Sequence, residues 1–339
     1  MTTRYSWCLL RAGEFRLDAG SMLGLIPRSV WSRSLEVDDK NRMRVHHNCL
    51  LLERQGDAPV GAAFSPKVVL IETGTGDKLD EKSRDLFALT DRSVLDSLHE
   101  AKCNPADIGA VFVSHLHFDH AGGLTRLARP GETADWHGPA SGMAGARPDH
   151  GVKFSFPNAR LVVQRREWQD ALANRSVMTR TYFTDHLRPY AIDNTSVDAM
   201  AERVLLVDSP APFTPGTTPD RAQLPLLSLD QRSQEPVPGI RVFRTPGHTW
   251  GQQAVMFTDT TGRTVVFTPD VLPTAAHLGA AYSLAYDVEP YTSMVTKHWF
   301  LGHAADQKWL LVLDHEPGNP LRTVSRNAKG WFDLAEATA

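Results

Sequence analysis

The sequence is short of the features that mark several classes of protein. It has only three cysteines in 339 residues, with no Cys-x-x-Cys pair, so neither a disulfide framework nor a Cys-based zinc site is expected. Its 36 Lys and Arg are balanced by 39 Asp and Glu, for a net charge of -3, whereas a general nucleic-acid binder would carry a basic excess. No run approaches the ~18 apolar residues that span a bilayer, and the first residues lack the apolar core of a signal peptide.

The composition that remains is 42% hydrophobic and 22% charged, which is typical of globular proteins. We therefore predict a cytoplasmic protein with no membrane partner and no nucleic-acid partner. The apolar stretches at residues 7–10 and 22–26 are candidate contacts of a homodimer.

Short apolar runs separated by helical patterns predict a layered α/β fold. The runs typical of buried strands lie at residues 49–52, 68–71, 111–113, 161–163, 204–207, 265–267 and 310–313. Helices are expected after Asp91 or Ser93, over residues 167–173, and from Pro290, where residues 291, 294, 295, 298 and 299 share one helix face. Residues 129–158 and 208–239 are rich in Gly or Pro without a period, which indicates long loops.

Histidine is the residue that this sequence has in unusual number, 14 in all. Four metal-binding side chains stand close together in SHLHFDHAGG, residues 114–123, directly after a predicted strand. Residues two apart in an extended chain point to the same side, so His115 and His117 can bind one metal ion. Asp119 and His120 add a carboxylate and a further imidazole, so the segment predicts a metal site.

Three later residues are candidates to complete the site. His248 in TPGHT, Asp270 and His315 each follow an apolar strand. Active sites of layered α/β proteins tend to lie at the carboxyl ends of strands. Because a catalytic zinc ion needs three or more protein ligands and an open position, contributions from several strand ends are expected.

The order of these residues resembles that of the metallo-β-lactamase superfamily. The segments HLHFDHAGG and TPGHTWGQQ look like its lactonase-type hydrolases, such as the N-acyl homoserine lactonases. VVLIETGTGD, residues 68–77, resembles the early strand and Thr-Gly turn of that family, with Glu72 where Asp is more usual. The resemblance covers roughly residues 45–125 and 160–320. It implies an α/β fold, a four-layer αββα sandwich with the metal site at one edge, as a single domain over residues 1–339 with insertions near 129–158 and 208–239.

The same resemblance implies two divalent metal ions, with zinc the expected metal. His115, His117 and His248 would hold the first ion, while Asp119, His120 and His315 would hold the second and Asp270 would bridge them. Two such ions can share a water and lower its pKa. The predicted activity is therefore that of a dinuclear zinc hydrolase, in which metal-bound hydroxide opens a lactone or cleaves a small ester. Asp119 is the expected catalytic acid for the leaving oxygen.

One position departs from the lactonase pattern. The lactonases that this chain resembles carry a Tyr three residues after the bridging Asp, and here that position is Pro273. The predicted substrate is therefore a lactone or ester in general and not specifically an acyl-homoserine lactone. His277, Tyr282 and Trp250 are the candidate substrate contacts.

Several alternatives stay open at this stage. Phosphotriesterase activity on the same site is one, because activated water can also attack phosphorus. A mononuclear-iron sulfur dioxygenase-type oxidoreductase is another, since it needs only two His and an Asp. A binding protein without catalysis would more often have lost a ligand position, and none is lost here.

Overall fold

The computed structural model describes residues 3–138, 150–175, 181–191, 202–214 and 228–339. The chain divides into two compact units: unit 1 is Met1–Tyr5, Arg16–His46 and Asp208–Ala339, and unit 2 is Ser6–Phe15 and His47–Val207. The predicted insertions near 129–158 and 208–239 lie partly outside the described residues, and a single domain over the whole chain stays a prediction.

Strands make up most of the regular structure. In the described residues the strands are β1 (Tyr5–Asp18), β2 (Arg42–Arg54), β3 (Val68–Ile71), β4 (Ile108–Phe112), β5 (Thr125–Leu127), β6 (Trp136–Gly138), β7 (His150–Phe154), β8 (Arg160–Gln164), β9 (Val204–Val207), β10 (Gln234–Val237), β11 (Ile240–Arg244), β12 (Gln253–Thr258), β13 (Thr264–Thr268), β14 (Leu310–Leu313), β15 (Leu321–Arg326) and β16 (Phe332–Glu336). The α-helices are α1 (Ala19–Met22), α2 (Arg28–Trp31), α3 (Glu81–Leu86), α4 (Val94–Glu100), α5 (Phe118–Ala121), α6 (Arg165–Leu172), α7 (Thr184–Ala191), α8 (Leu229–Arg232) and α9 (Pro290–Asp306). Every predicted strand run falls within or overlaps one of these strands, so those predictions are confirmed.

Unit 2 contains a mixed sheet with the strand order β1-β2-β3-β4-β8-β9 and a small sheet with the order β5-β7-β6. From β3 through β4 and β8 to β9 the neighbouring strands run parallel. The central strand β4 reads Ile-Gly-Ala-Val-Phe and is buried along almost its whole length, as parallel strands usually are. Its carboxyl end leads directly into the segment with the four predicted metal ligands.

The helix predicted after Ser93 is α4, and its start has a clear local cause. The backbone N–H and the hydroxyl of Ser93 both lie 2.8 Å from one carboxylate oxygen of Asp96, forming a capping box. The helix ends before Lys102, which has a left-handed φ of 56°. Val94 and Leu98 are buried in the core of unit 2.

Unit 1 contains a sheet with the strand order β10 through β16. Among its described strands, β13 and β14 are the one pair that runs parallel, and both are followed by predicted metal ligands. The core beside this sheet includes Phe243, Phe300 and Trp309, whose ring centroids lie 5.7 to 6.3 Å apart. No helix in the described ranges is long and apolar enough to cross a membrane.

Helix α9 begins at Pro290 as predicted, and Val295 and Trp299 of the predicted apolar face are buried, but the helix does not bury that face alone. Tyr291 is half exposed, whereas the polar Thr296 and Lys297 are buried. The cause is hydrogen bonding, because the Thr296 hydroxyl donates to the carbonyl of Pro246 at 2.7 Å. The Lys297 ammonium group donates to the carbonyls of His277 and Tyr282 at 2.9 and 2.7 Å. The helix therefore buries polar groups that serve the loops packed on it.

Candidate metal centre

In unit 2 the segment that follows β4 brings four of the predicted ligands together. His115, His117, Asp119 and His120 are all at least nine-tenths buried. His115 Nε2 lies 3.0 Å from His117 Nδ1, and the rings of His115 and His120 have centroids 4.0 Å apart. Asp119 and His120 lie on the short helix α5, and one Asp119 oxygen is 3.9 Å from His120 Nε2.

Two buried glutamates hold the backbone of this segment. Glu72 accepts a hydrogen bond from the N–H of Ser114 at 2.6 Å, and Glu167 accepts one from the N–H of Leu116 at 2.9 Å. The Tyr182 hydroxyl donates to the same Glu167 oxygen at 3.2 Å. Since charge-assisted bonds to backbone N–H groups are strong, the imidazoles are carried on a rigid loop. Glu167 and Tyr182 were not predicted, and nothing near them in the sequence marks a role.

Glu72 and its neighbour also act on His120. The second Glu72 oxygen lies 3.3 Å from His120 Nδ1, and the Thr73 hydroxyl donates to the His120 carbonyl at 2.6 Å. Glu72 adopts a left-handed φ of 68°, a conformation that strains residues other than glycine. An Asp at this position would be one methylene shorter, whereas the longer Glu reaches both the Ser114 backbone and the His120 ring.

Lys78 fixes the end of the same segment. Its buried ammonium group donates to the carbonyls of Gly122 and Thr125. Burial lowers the pKa of Lys78, and the charges of Asp185 and Asp77 oppose that effect. The lysine therefore ties the turn after the ligands into the interior of unit 2.

In unit 1 the other three predicted ligands lie together, with the Asp270 carboxylate between two imidazoles. His248, Asp270 and His315 follow β11, β13 and β14 and are buried. One Asp270 oxygen lies 3.0 Å from His248 Nε2, and the other lies 3.4 Å from His315 Nε2. A carboxylate between two imidazoles is a donor set that suits a divalent cation.

Both of these imidazoles turn their other nitrogen towards a protein acceptor. His248 Nδ1 lies 2.9 Å from a carboxylate oxygen of Asp287, and His315 Nδ1 lies 2.9 Å from the carbonyl of His46. Metal-binding histidines usually donate their second N–H in this way, which leaves the first nitrogen as the ligand atom. The donor set in unit 1 therefore fits a divalent metal ion.

The charges in unit 1 also favour a bound cation. Burial lowers the pKa of His248, but Asp270 and Asp287 outweigh it and raise the pKa to about 10. Asp314, which sequence reasoning did not single out, is also buried, and its ligand atom lies within 4.8 Å of those of Asp270 and His315. Three carboxylates around two histidines favour the binding of a cation. In the sequence, the one feature that pointed to Asp314 was its position next to His315.

The three predicted substrate contacts have different surroundings. His277 is fully buried, with Nδ1 2.8 Å from the Thr274 hydroxyl and Nε2 2.8 Å from the carbonyl of Met22. The Trp250 N–H donates to Glu289 at 2.9 Å. Tyr282 is partly exposed, and its carbonyl accepts a hydrogen bond from Lys297. His277 therefore has protein partners on both ring nitrogens, and substrate contact by any of the three stays a prediction.

The environment of His277 predicts a pH dependence of stability. Burial, reinforced by the charge of Lys297, lowers the pKa of His277 from 6.5 to about 3. The unfolded chain takes up this proton more readily, so the stabilisation is complete above pH 6.5 and is lost as the pH falls towards 3. His277→Gln keeps a donor for the Met22 carbonyl but cannot titrate. In urea unfolding across this window, its free energy of unfolding should depend less steeply on pH, by up to ~1.4 kcal/mol per pH unit. Equal slopes for the two proteins would contradict this expectation.

Comparison with known proteins places the chain in a family. Residues 66–315, most of the chain, match the metallo-beta-lactamase superfamily, and no curated protein matches. A probable metal-dependent hydrolase from Staphylococcus aureus is 23% identical, with a TM-score of 0.68 and full coverage of both chains. The dizinc quorum-quenching lactonase AidC is 16% identical, with a TM-score of 0.64 over 99% of this chain and 95% of AidC. The hydrolase AbOPH is 15% identical, with the same TM-score and the same coverage.

These likenesses confirm the α/β fold class that the sequence predicts. Each of these solved structures is less than 25% identical to this chain in sequence. The likenesses therefore show the fold, and the substrate has to be argued from this chain's own residues. The family match includes both ligand groups described above, from the histidine segment after β4 to His315. The chain belongs to the metallo-beta-lactamase superfamily and is a metal-dependent hydrolase of that superfamily.

Proposed function

We propose that this protein opens a lactone or cleaves another small ester with the help of two zinc ions. His115, His117 and His248 would hold one ion, and Asp119, His120 and His315 would hold the other, with Asp270 as a ligand of both. When bound, two such ions supply an activated water and polarise a carbonyl oxygen. The observation that carries the proposal is Asp270, whose two oxygens face two different imidazoles at 3.0 and 3.4 Å.

The chain's own residues supply the rest of the chemistry. Glu72 and Glu167 hold the ligand segment of unit 2 through backbone N–H groups, so the backbone that carries the imidazoles is fixed before binding. Asp119 is the proposed proton carrier, which takes the proton that the attacking water loses and passes it to the leaving alkoxide of an ester or lactone. An alkoxide is a poor leaving group, so a proton delivered as the bond breaks accelerates the reaction.

The ligand residues favour a substrate with an uncharged carbonyl group. Buried imidazoles and carboxylates that bind divalent ions suit attack on an uncharged carbonyl. AidC is a lactonase of this fold, which supports lactones as the first class to test. Pro273 departs from the lactonase pattern that this sequence resembles, so the proposal is a lactone or small ester and not specifically an acyl-homoserine lactone.

A panel assay combined with metal analysis on the same preparation tests this function. We expect close to two divalent ions per chain and turnover of at least one lactone or aryl ester. The panel also contains a phosphotriester and a persulfide substrate with oxygen uptake as its readout. One redox-active iron per chain together with oxygen uptake would contradict the proposal, and so would turnover of the phosphotriester alone.

A further inference from the structure

Asp287 is a buried carboxylate that the reaction as described does not use. One of its oxygens lies 2.9 Å from His248 Nδ1, and both side chains are only 2% exposed. It stands 39 residues beyond His248 in the chain, outside every segment that resembles a ligand motif. Its partner is the imidazole whose other nitrogen faces Asp270 at 3.0 Å.

The backbone around Asp287 is fixed to the backbone around His248. The N–H of Val288 donates to the His248 carbonyl at 3.1 Å, and the N–H of Glu289 donates to the Gly247 carbonyl at 2.9 Å. The second Asp287 oxygen accepts a hydrogen bond from the N–H of Leu284 at 3.3 Å. The carboxylate therefore cannot turn away from the ring without breaking several bonds at once.

In the neutral imidazole that can bind a metal ion, Asp287 can only accept, so the one ring proton of His248 lies on Nδ1. The lone pair is then on Nε2, the nitrogen that faces Asp270. A charged acceptor also makes the ring a stronger electron donor than a neutral acceptor does. The contrast lies within unit 1, because His315 donates its Nδ1 proton to a neutral backbone carbonyl.

We propose that Asp287 is a positioning residue that sets the tautomer and the ligand strength of His248 for a divalent metal ion. This inference rests on the proposed function in so far as His248 is a ligand. It makes His248 the stronger of the two imidazole ligands of unit 1. Asp287→Asn keeps an oxygen acceptor but removes the charge, and Asp287→Ala removes both, so the two variants separate orientation from charge.

Zinc affinity of the full-length protein, measured by competition with a chromophoric chelator, tests the proposal. We expect about 10–100-fold weaker binding of one zinc equivalent in Asp287→Ala and an intermediate loss in Asp287→Asn. The visible spectrum of the cobalt-loaded protein should shift in both variants, which a merely structural role would not cause. Asp259→Asn is the matched control, since Asp259 is a buried carboxylate of the same unit that bonds Thr261 and Arg263, and it should leave zinc affinity unchanged.

Wild-type affinity and spectrum in both Asp287 variants would overturn the proposal, even if their free energies of unfolding were lower. Asp287→Asn is the conservative variant that keeps the test valid should Asp287→Ala fail to fold. The proposed function fails separately, if the zinc-loaded wild-type protein turns over no lactone or ester. A graded loss of zinc affinity in that case still supports the role of Asp287.

Discussion

Replacing Asp270 with asparagine should remove metal-dependent hydrolysis almost completely while the protein stays folded. The two Asp270 oxygens face His248 and His315 at 3.0 and 3.4 Å, and an amide offers one oxygen and an N–H₂ group that cannot bind a cation. The substitution also removes a negative charge from a buried cluster of ligands. We expect kcat/KM for the best ester or lactone to fall on the order of 10³-fold or more, equivalent to ~4 kcal/mol of transition-state stabilisation.

Metal content decides what causes this loss. Asp270→Asn should retain fewer than two ions per chain after dialysis, whereas Asp259→Asn, which removes a buried carboxylate of the same unit, should retain the wild-type content. Circular dichroism of both variants checks that the fold persists. Full turnover by Asp270→Asn would show that no step needs this carboxylate and would contradict the proposed centre.

The features that could be predicted from the sequence are those that depend on residues close together in the chain. The ligand segment follows strand β4 directly in the chain, so an apolar run followed by His-x-His-x-Asp-His is enough to predict both. The same holds for Asp270 and His315, which follow apolar strands directly. The order of these residues along the chain then matches the family pattern, because each predicted ligand lies in a short segment that can be recognised by itself.

The supporting residues could not be predicted in this way. Glu167 meets Leu116 from 51 residues away, and Asp287 meets His248 from 39 residues away. A buried Glu or Asp looks like any surface acid in the sequence, since only the tertiary fold decides which backbone N–H or ring nitrogen it faces. The carboxylates that position the ligands therefore appear only with the structure.

Strand β1 shows a different limit. It runs from Tyr5 to Asp18, yet it was not predicted, because Arg11, Glu14 and Arg16 interrupt its apolar residues. The structure accommodates them at its partly exposed positions and with polar partners such as Asn48, 2.7 Å from the Arg11 guanidinium. Periodicity finds strands that are buried on both faces more readily than long strands with charged residues.

Gly122 stands where a side chain has no room. Its backbone conformation is ordinary, with a helical φ of -61°. What it needs is space, because a Cβ there would lie 2.0 Å from the Thr75 carbonyl oxygen and 2.5 Å from its carbon. Both are backbone atoms that cannot rotate away, so the ligand segment and the Thr-Gly turn are packed backbone against backbone.

Gly122→Ala is therefore expected to destabilise the protein strongly and to disturb its ligands. Overpacking typically costs ~1–3 kcal/mol and can cost more. With a separation of 2.0 Å from a backbone oxygen, we expect a loss of at least ~3 kcal/mol in the free energy of unfolding. Displacing the segment also moves His120 and the Gly122 carbonyl that Lys78 binds, so zinc affinity should fall with stability. Guanidinium chloride unfolding and chelator competition measure the two effects.

Gly131→Ala separates steric collision from backbone strain. Gly131 has a left-handed φ of 85°, and a Cβ there would meet no heavy atom within 4 Å. That variant should lose only the ~1–2 kcal/mol that a left-handed alanine costs and should keep wild-type zinc affinity. If Gly131→Ala proved as destabilising as Gly122→Ala, backbone conformation would be the dominant requirement for glycine here. If Gly122→Ala kept both stability and zinc affinity, the close packing behind the ligands would have no role in holding them.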